Sequence, residues 1–268
     1  MLCGIKLYTH RLFGAKGNGI IMELWGITDC GKVRKHNQDV FQISTSEVND
    51  TVVLVVCDGM GGANAGNIAS ELAADTFMNH MDRHIDEYNS GHDLTYIAEL
   101  MTEAVHVAND IVYQKSMSDE ELNGMGTTLT AAVSTQDGVV VANVGDSRLY
   151  HVTFEKITQI TRDHSVVEDM IQRGEITRSE AHQHPSKNLI TRVLGTSYDE
   201  LPDIFYIDMK ADDIIILCSD GLTNVVTDNE IQFELLRGTN VRESCEVLVD
   251  MALGRGAPDN VTVVILKN

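Results

Sequence analysis

The stretch Val52 to Gly62 reads VVLVVCDGMGG. Five apolar residues and a cysteine lead into an acid, and a glycine-rich turn follows. An unbroken apolar run of this length, closed by glycine, is the pattern of a buried strand. A strand that enters a glycine loop often cradles phosphate on bare backbone N–H groups. Such a cradle favours positive charge, yet this loop opens on Asp58.

Three more stretches repeat the arrangement. VVVANVGDSR places Asp146 after a strand, DIIILCSDGL places Asp220 after another, and APDNVTVVIL sets Asp259 just before the last one. A single acid in such a position has a plain structural reading, because Asp caps turns and Asp-Gly is a turn dipeptide. Four of them at strand ends suggest more. If these ends converge, like charges at close range need a proton or a cation to neutralise them. Oxygen ligands without His or Cys suit Mg²⁺ or Mn²⁺. The glycine after Asp58 adds the Gly59 carbonyl as a further oxygen. Asp58 then holds cations, and the cations hold phosphate.

Strand-like segments fall at 23–29, 40–45, 51–57, 127–134, 138–144, 149–153, 204–208, 213–219 and 261–266. Between the third and fourth, residues 65–80 and 94–114 each repeat apolar residues at helical spacing, one stripe per helix. Near the C-terminus, Thr227 to Glu230 forms a capping box ahead of a short helix, and 242–253 forms another. Thr177 to Glu180 caps a short helix in the least regular part, 154–202. Regular β-α-β alternation is missing, which disfavours a doubly wound parallel sheet. The order fits an α+β fold: two mainly antiparallel sheets packed face to face with helices outside both.

The chain has 268 residues, 43% of them apolar, with 40 acids against 20 Lys and Arg, for a net charge of −20. That balance argues against nucleic-acid binding, which rests on basic surface, and against an anionic membrane surface. The five cysteines include no C-x-x-C pair, so neither a disulfide frame nor a zinc knuckle is expected. Their spacing fits a reducing, cytoplasmic setting. No apolar run approaches the ~20 residues of a membrane span. Residues 1–21 lack an apolar signal core and are read as a poorly ordered N-terminal extension. Residues 22–268, without linker or low-complexity tract, are read as a single domain.

The ordered set GKVRKHNQD (31–39), VVCDGMGG (55–62), GMGTTL (124–129), VANVGDSRLY (141–150), TRDHS (161–165), NLITRVLG (188–195), ILCSDGL (216–222) and PDNVTVVIL (258–266) resembles the protein phosphatase 2C family, in its compact bacterial form. The resemblance covers roughly 22–268 and implies a four-layer α-β-β-α sandwich, in agreement with the reading above. It implies a metal-dependent phosphatase acting on phosphoserine and phosphothreonine in proteins, with two Mn²⁺ or Mg²⁺ ions and room for a third. Asp58 then corresponds to the carboxylate bridging both ions, Gly59 to a carbonyl ligand of the second, and Asp220 and Asp259 to ligands of the first. Asp146, with Asp220, corresponds to the third site, and Asp39 to an acid that binds metal through water. Arg34 matches the arginine gripping the substrate phosphate. A water bridging the ions is the implied nucleophile for in-line attack on phosphorus.

The implied partners are phosphorylated proteins, including a Ser/Thr kinase or its substrates, and a monomer is the default. Gln38 and Met60 depart from eukaryotic members, which carry a carboxylate and a proposed acid histidine there; Ala63 replaces a common bacterial histidine. Ser147, Thr191, Arg192 and Asn260 lie in matched motifs: Ser147 is a candidate at the third site, a structural role is favoured for Thr191 and Arg192, and Asn260 either orients Asp259 or serves the turn. Residues 161–200 correspond to a flap beside the site. It holds His164, His182 and His184, with His164 the best functional candidate. Two other readings stay open. Asp58 as a covalent nucleophile is disfavoured because position 60 is Met, where a second acid is needed. A catalytically dead phosphoprotein-binding scaffold is disfavoured because all four acids are present.

Overall fold

The structure is a computed structural model that describes residues 6–13, 21–46, 48–62, 65–88, 93–118, 120–181 and 183–268. In chain order, strands β1 (Lys6–Phe13), β2 (Ile21–Asp29), β3 (Asp39–Ser46) and β4 (Thr51–Met60) precede helices α1 (Ala65–His84) and α2 (Leu94–Ser118). Strands β5 (Gly126–Thr127), β6 (Leu129–Thr135), β7 (Gly138–Val144), β8 (Arg148–Val152) and β9 (Ile157–Gln159) come next. They are followed by α3 (Val166–Gln172), α4 (Arg178–Ala181), β10 (Asp203–Ile207) and β11 (Ile214–Cys218). The chain closes with α5 (Asp220–Thr223), α6 (Asp228–Arg237), α7 (Val241–Gly254) and β12 (Val261–Lys267).

One sheet runs β1-β2-β12-β11-β8-β9 and the other β10-β7-β6-β4-β3, with β5 paired to β4 beside it. Their strand pairs are antiparallel. Alternation explains the layering. In β4, Val52, Leu54 and Val56 face the other sheet, where they meet Leu217, Val264 and Leu266. Val53, Val55 and Cys57 face outward, against α1 and α2. A strand buried on both faces reads as a continuous apolar run, which is why 52–57 shows no polar alternation.

The helices carry matching stripes. Ala69, Ala73 and Phe77 of α1, with Ile97, Met101, Ala104 and Ala108 of α2, are fully buried. The small alanines let both helices lie close to the sheet. On the far side, Cys245, Leu248 and Ala252 of α7 pack on Ile216 and Val263. Each fully buried large aliphatic contributes about 1.5–3 kcal/mol. The result is an α-β-β-α sandwich.

Helix starts follow side-chain chemistry. Thr227 and Glu230 form the expected capping box at α6. At α4, Glu180 accepts from both the backbone N–H and the hydroxyl of Thr177, at 2.7 and 2.8 Å. Ser165 caps α3 by accepting from the Glu168 N–H.

The structure corrects the reading in three places. Lys6–Phe13, read as part of a poorly ordered extension, forms β1 and pairs with β2 from Lys6↔Thr28 to Phe13↔Ile21. Its run of Leu, Tyr, Thr and Phe suits an edge strand; residues 1–5 and 14–20 lie outside the described residues. Strands β5 and β9 are two and three residues long, too short to show a period. Finally, β4 does not stop before Asp58 but runs through it to Met60, held there by β5.

Candidate metal centre

The acids gather at one end of the sandwich. Asp39 opens β3 directly opposite Asp58 in the β3–β4 register. Asp146 sits in the turn between β7 and β8, Asp220 starts α5 just after β11, and Asp259 precedes β12. Because β11 and β12 are neighbours in one sheet and β4 and β7 flank β6 in the other, the two sheets deliver their acids to a shared volume.

Each acid is fixed by the backbone that carries it. The Asp58 N–H donates to the Thr128 hydroxyl at 2.9 Å, and the Asp58 carbonyl accepts from the Thr128 N–H at 2.9 Å. Asp39 Oδ2 accepts from the hydroxyls of Ser219 and Thr262, both at 2.7 Å. Asn224 Nδ2 donates to Asp220 Oδ2 at 2.9 Å, and the Asn260 N–H donates to Asp259 Oδ1 at 2.9 Å.

Gly59 is required for a reason other than a bare carbonyl. A Cβ there would come within 2.0 Å of the Gly66 carbonyl oxygen, so glycine lets the first turn of α1 close against β4. Gly145 lies at φ +112°, and a Cβ would collide with the Thr128 side chain at 2.5 Å.

Electrostatics carry the signature of crowded acids. Burial first, then neighbouring carboxylates, raises Asp58 well above the ordinary carboxylate range. Burial, partly offset by the Ser219 and Thr262 hydroxyls, raises Asp39 to about 7. Burial and Asp220 raise Asp146 to about 8, and burial and Asp259 raise Asp220 to about 6. Buried anions of one sign call for a counter-charge.

One oxygen on each of three acids has nothing to satisfy it. Asp39 Oδ1, Asp146 Oδ1 and Asp220 Oδ1 are buried without a hydrogen-bond partner. Orphaned carboxylate oxygens beside Asp58, with no sulfur or imidazole among them, fit a hard divalent cation. Among the described residues no group of three such side chains already closes as a ligating cage.

Arg34 sits on the loop 30–38, about half exposed, and its Nη2 donates to Asp259 Oδ2 at 2.8 Å. The loop is stapled by Asn260, itself buried. Asn260 Oδ1 accepts from the Gln38 N–H at 2.8 Å, and its Nδ2 donates to the carbonyls of Cys30 and His36 at 2.9 and 3.0 Å. Asn260 therefore fixes the loop as well as its neighbour. Met60 is exposed at the rim, and Ala63 lies outside the described residues.

The residues of segment 161–200 sort themselves. Arg192 ties down its end, donating to Glu200, Asp203 and the Leu201 carbonyl. The buried His164 ring accepts the Gly145 N–H on Nδ1 at 3.0 Å, and its Nε2 lies 2.8 Å from Arg192 Nη1 and 3.3 Å from Asp203 Oδ2. Burial and the Arg192 charge lower its pKa. His164 positions the turn that carries Asp146. Ser147 bonds the Thr128 hydroxyl at 2.8 Å, the Thr191 N–H bonds the His164 carbonyl, and His182 lies outside the described residues.

Sequence reasoning missed Ser219, Thr262 and Thr128. Their signal was a hydroxyl inside or beside an apolar strand, as in VTVVIL, where Thr262 interrupts a run that would otherwise be wholly apolar.

The chain is similar to known proteins. The family description "Protein phosphatase 2C" matches residues 29–250. The serine/threonine phosphatase stp of Listeria monocytogenes is 36% identical over 243 residues, 90% of this chain and 93% of that protein. The solved serine/threonine phosphatase of S. agalactiae superposes with a TM-score of 0.83 at 31% identity, covering 92% of this chain and 99% of that one. The catalytic domain of the phosphatase PstP, solved with two manganese ions, gives 0.78 at 33% identity, covering 92% and 97%.

Proposed function

Because the chain belongs to the protein phosphatase 2C family, we propose that its acid-lined end is the reacting centre, assembled from the residues named above. The chain is a protein-serine/threonine phosphatase that works with Mn²⁺ or Mg²⁺. The residue roles are our reading. Asp58 and the Gly59 carbonyl, with Asp220 and Asp259, would hold two cations; Asp146 and Asp220 would hold a third. Asp39, opposite Asp58 in the β3–β4 register and with its Oδ1 unpartnered, would bind metal through water. When bound, the cations supply a water of lowered pKa and neutralise charge on the phosphoryl group.

The chain itself supplies placement. Hydrolysis joins a water oxygen to phosphorus and breaks the bond to the serine or threonine oxygen, which leaves on the opposite side. Arg34, held at the rim by Asp259 and the Asn260 staple, offers its remaining N–H groups to the phosphate oxygens. Asp58 lies on β4, and Asp220 and Asp259 adjoin β11 and β12, strands that are each paired on both sides, while Asp39 opens the edge strand β3 against β4; the acids therefore stay in place while charge moves. With Met60 at the rim, the leaving oxygen takes its proton from water rather than from a side chain on this loop.

The observation that carries the assignment is the set of three orphaned buried oxygens around Asp58. Calorimetry with Mn²⁺, run beside p-nitrophenyl phosphate hydrolysis, tests it. Wild type should bind and hydrolyse, EDTA should abolish both, and Asp58→Asn should lose the higher-affinity binding. Full activity in Asp58→Asn would overturn the bridging role.

Residues 22–268 form one catalytic unit in this reading, with 161–200 as its flap. Its substrates are phosphorylated proteins, among them a Ser/Thr kinase or that kinase's targets, and it acts as a monomer in the cytoplasm. Among the described residues no helix is long and apolar enough to cross a membrane.

A further inference from the structure

A closed circuit of hydrogen bonds runs through Asp39. The Asp39 N–H donates to Asn37 Oδ1 at 3.2 Å, and Asn37 Nδ2 donates to the Thr28 hydroxyl at 2.8 Å. The Thr28 and Thr262 hydroxyls meet at 2.7 Å, and the Thr262 hydroxyl returns to Asp39 Oδ2 at 2.7 Å. Thr28 and Thr262 face each other across the β2–β12 pair, while Asp39 opens β3 in the other sheet. The circuit therefore joins both sheets to the loop 30–38 that carries Arg34.

Its direction follows from which groups can donate. An ionised carboxylate only accepts, so Thr262 spends its one hydroxyl proton on Asp39. Thr28 must then donate to Thr262, and its oxygen receives the Asn37 amide. The Asp39 backbone N–H only donates, which fixes Asn37 with its oxygen toward Asp39 and its NH₂ toward Thr28. Every donor points the same way round, the arrangement in which each bond polarises the next. Ser219 braces the circuit: its hydroxyl donates to Asp39 Oδ2 at 2.7 Å and accepts the Thr262 N–H at 3.0 Å. Thr28, Thr262 and Ser219 are buried, so bulk water does not compete for these bonds.

The result is a carboxylate with two unlike oxygens. Oδ2 takes two hydroxyl protons, whereas Oδ1 is buried and takes none. Turning the carboxylate over would break both hydroxyl bonds. We propose that the circuit sets which Asp39 oxygen is offered to the metal centre, and that Thr28 and Asn37 are thereby positioning residues for cation binding. Thr28 is the informative member, because in the circuit it reaches Asp39 only through Thr262 and Asn37. The proposal rests on the reading of Asp39 as an acid that binds metal through water.

The test is Mn²⁺ affinity by titration calorimetry on the full chain, with unfolding in EDTA to follow the fold of each variant. Asp39→Ala should show the largest loss. Thr262→Val, which removes a direct donor to the carboxylate, should weaken Mn²⁺ by about tenfold, the scale of a lost partner of a metal-ligating group. Thr28→Val and Asn37→Ala should each weaken it by about threefold, the scale of one net hydrogen bond. Thr28→Ser keeps the hydroxyl and should bind as wild type does. Because Thr28→Val and Asn37→Ala open the same circuit, the double variant should bind no more weakly than the worse single one. Asn37 is less buried than Thr28, so Asn37→Ala still decides the matter if Thr28→Val folds poorly. Unchanged Mn²⁺ affinity in Thr28→Val or Asn37→Ala, equal losses in Thr28→Ser and Thr28→Val, or losses that multiply in the double variant would overturn the circuit. Wild-type affinity in Asp39→Ala would instead overturn the reading of Asp39, and the circuit's role with it.

Discussion

The same strands build two opposite environments. Along β4, Val52, Leu54 and Val56 sit in a dry inter-sheet layer with Leu217 and Val264. Two residues further on, Asp58 stands among Asp39, Asp146, Asp220 and Asp259. The first region releases free energy on folding; the second consumes it, because carboxylates are desolvated beside one another. The difference teaches how the site is held. Acids that repel stay together because paired strands leave their backbones no alternative, and the dry layer supplies the stability that this arrangement lacks.

Substitutions on either side of that boundary should separate activity from stability. The largest effect is expected at Asp58: Asp58→Asn should lower kcat/KM for p-nitrophenyl phosphate by about 10³-fold, the loss of several kcal/mol of charge stabilisation. In EDTA, the same variant should unfold no more readily than wild type, since a buried charge has been removed. Leu54→Ala should do the reverse. Leu54 is fully buried, so denaturant unfolding should show a loss of about 3 kcal/mol, while kcat of the folded enzyme stays near wild type. If Leu54→Ala also abolished kcat, the two regions would not be separable.

Asn260→Ala probes the seam between them. It removes the side-chain bonds to Gln38, Cys30 and His36, and so frees the Arg34 loop. A rise in KM of about tenfold with a smaller change in kcat is expected, the scale of one or two net hydrogen bonds. An unchanged KM would mean that Arg34 needs no fixed loop.

The smallest effect is a pH dependence of the metal-free chain. Asp220, Asp39 and Asp146 titrate at about 6, about 7 and about 8 when folded, above the ordinary 3.8. A raised folded pKa favours the folded state while the acid is protonated, and that stabilisation fades as pH climbs through the folded value. In EDTA, Tm should therefore fall by several degrees between pH 6 and 8, and Mn²⁺ should reverse the trend. A flat profile in EDTA would show that the acids are not desolvated together.

Much of this was legible in the chain because burial writes itself into apolar runs. The nine strand segments read from composition all appear, and the acids at their ends stood out against those runs. What stayed hidden depends on long-range pairing. Asp39 is satisfied by Ser219 and Thr262, 180 and 223 residues away, and nothing local marks such partners. Asn260 reads in the sequence as orienting Asp259 or as a turn residue, and nothing local marks the reach of its amide to the Arg34 loop. Gly59 invited a ligand explanation, whereas its lack of a side chain answers to the approach of α1. Strand β1 was overlooked because its pairing partner, not its own length or hydrophobicity, secures it.

The contact between His164 and Gly145 has a mechanical consequence. The Gly145 N–H bonds the His164 ring, and the His164 N–H returns to the Gly145 carbonyl at 2.9 Å. Two bonds in opposite directions make a rivet, not a tether. The root of the flap and the turn bearing Asp146 can therefore shift only as one piece. Any load on segment 161–200 would therefore be passed through this rivet to the turn that carries Asp146.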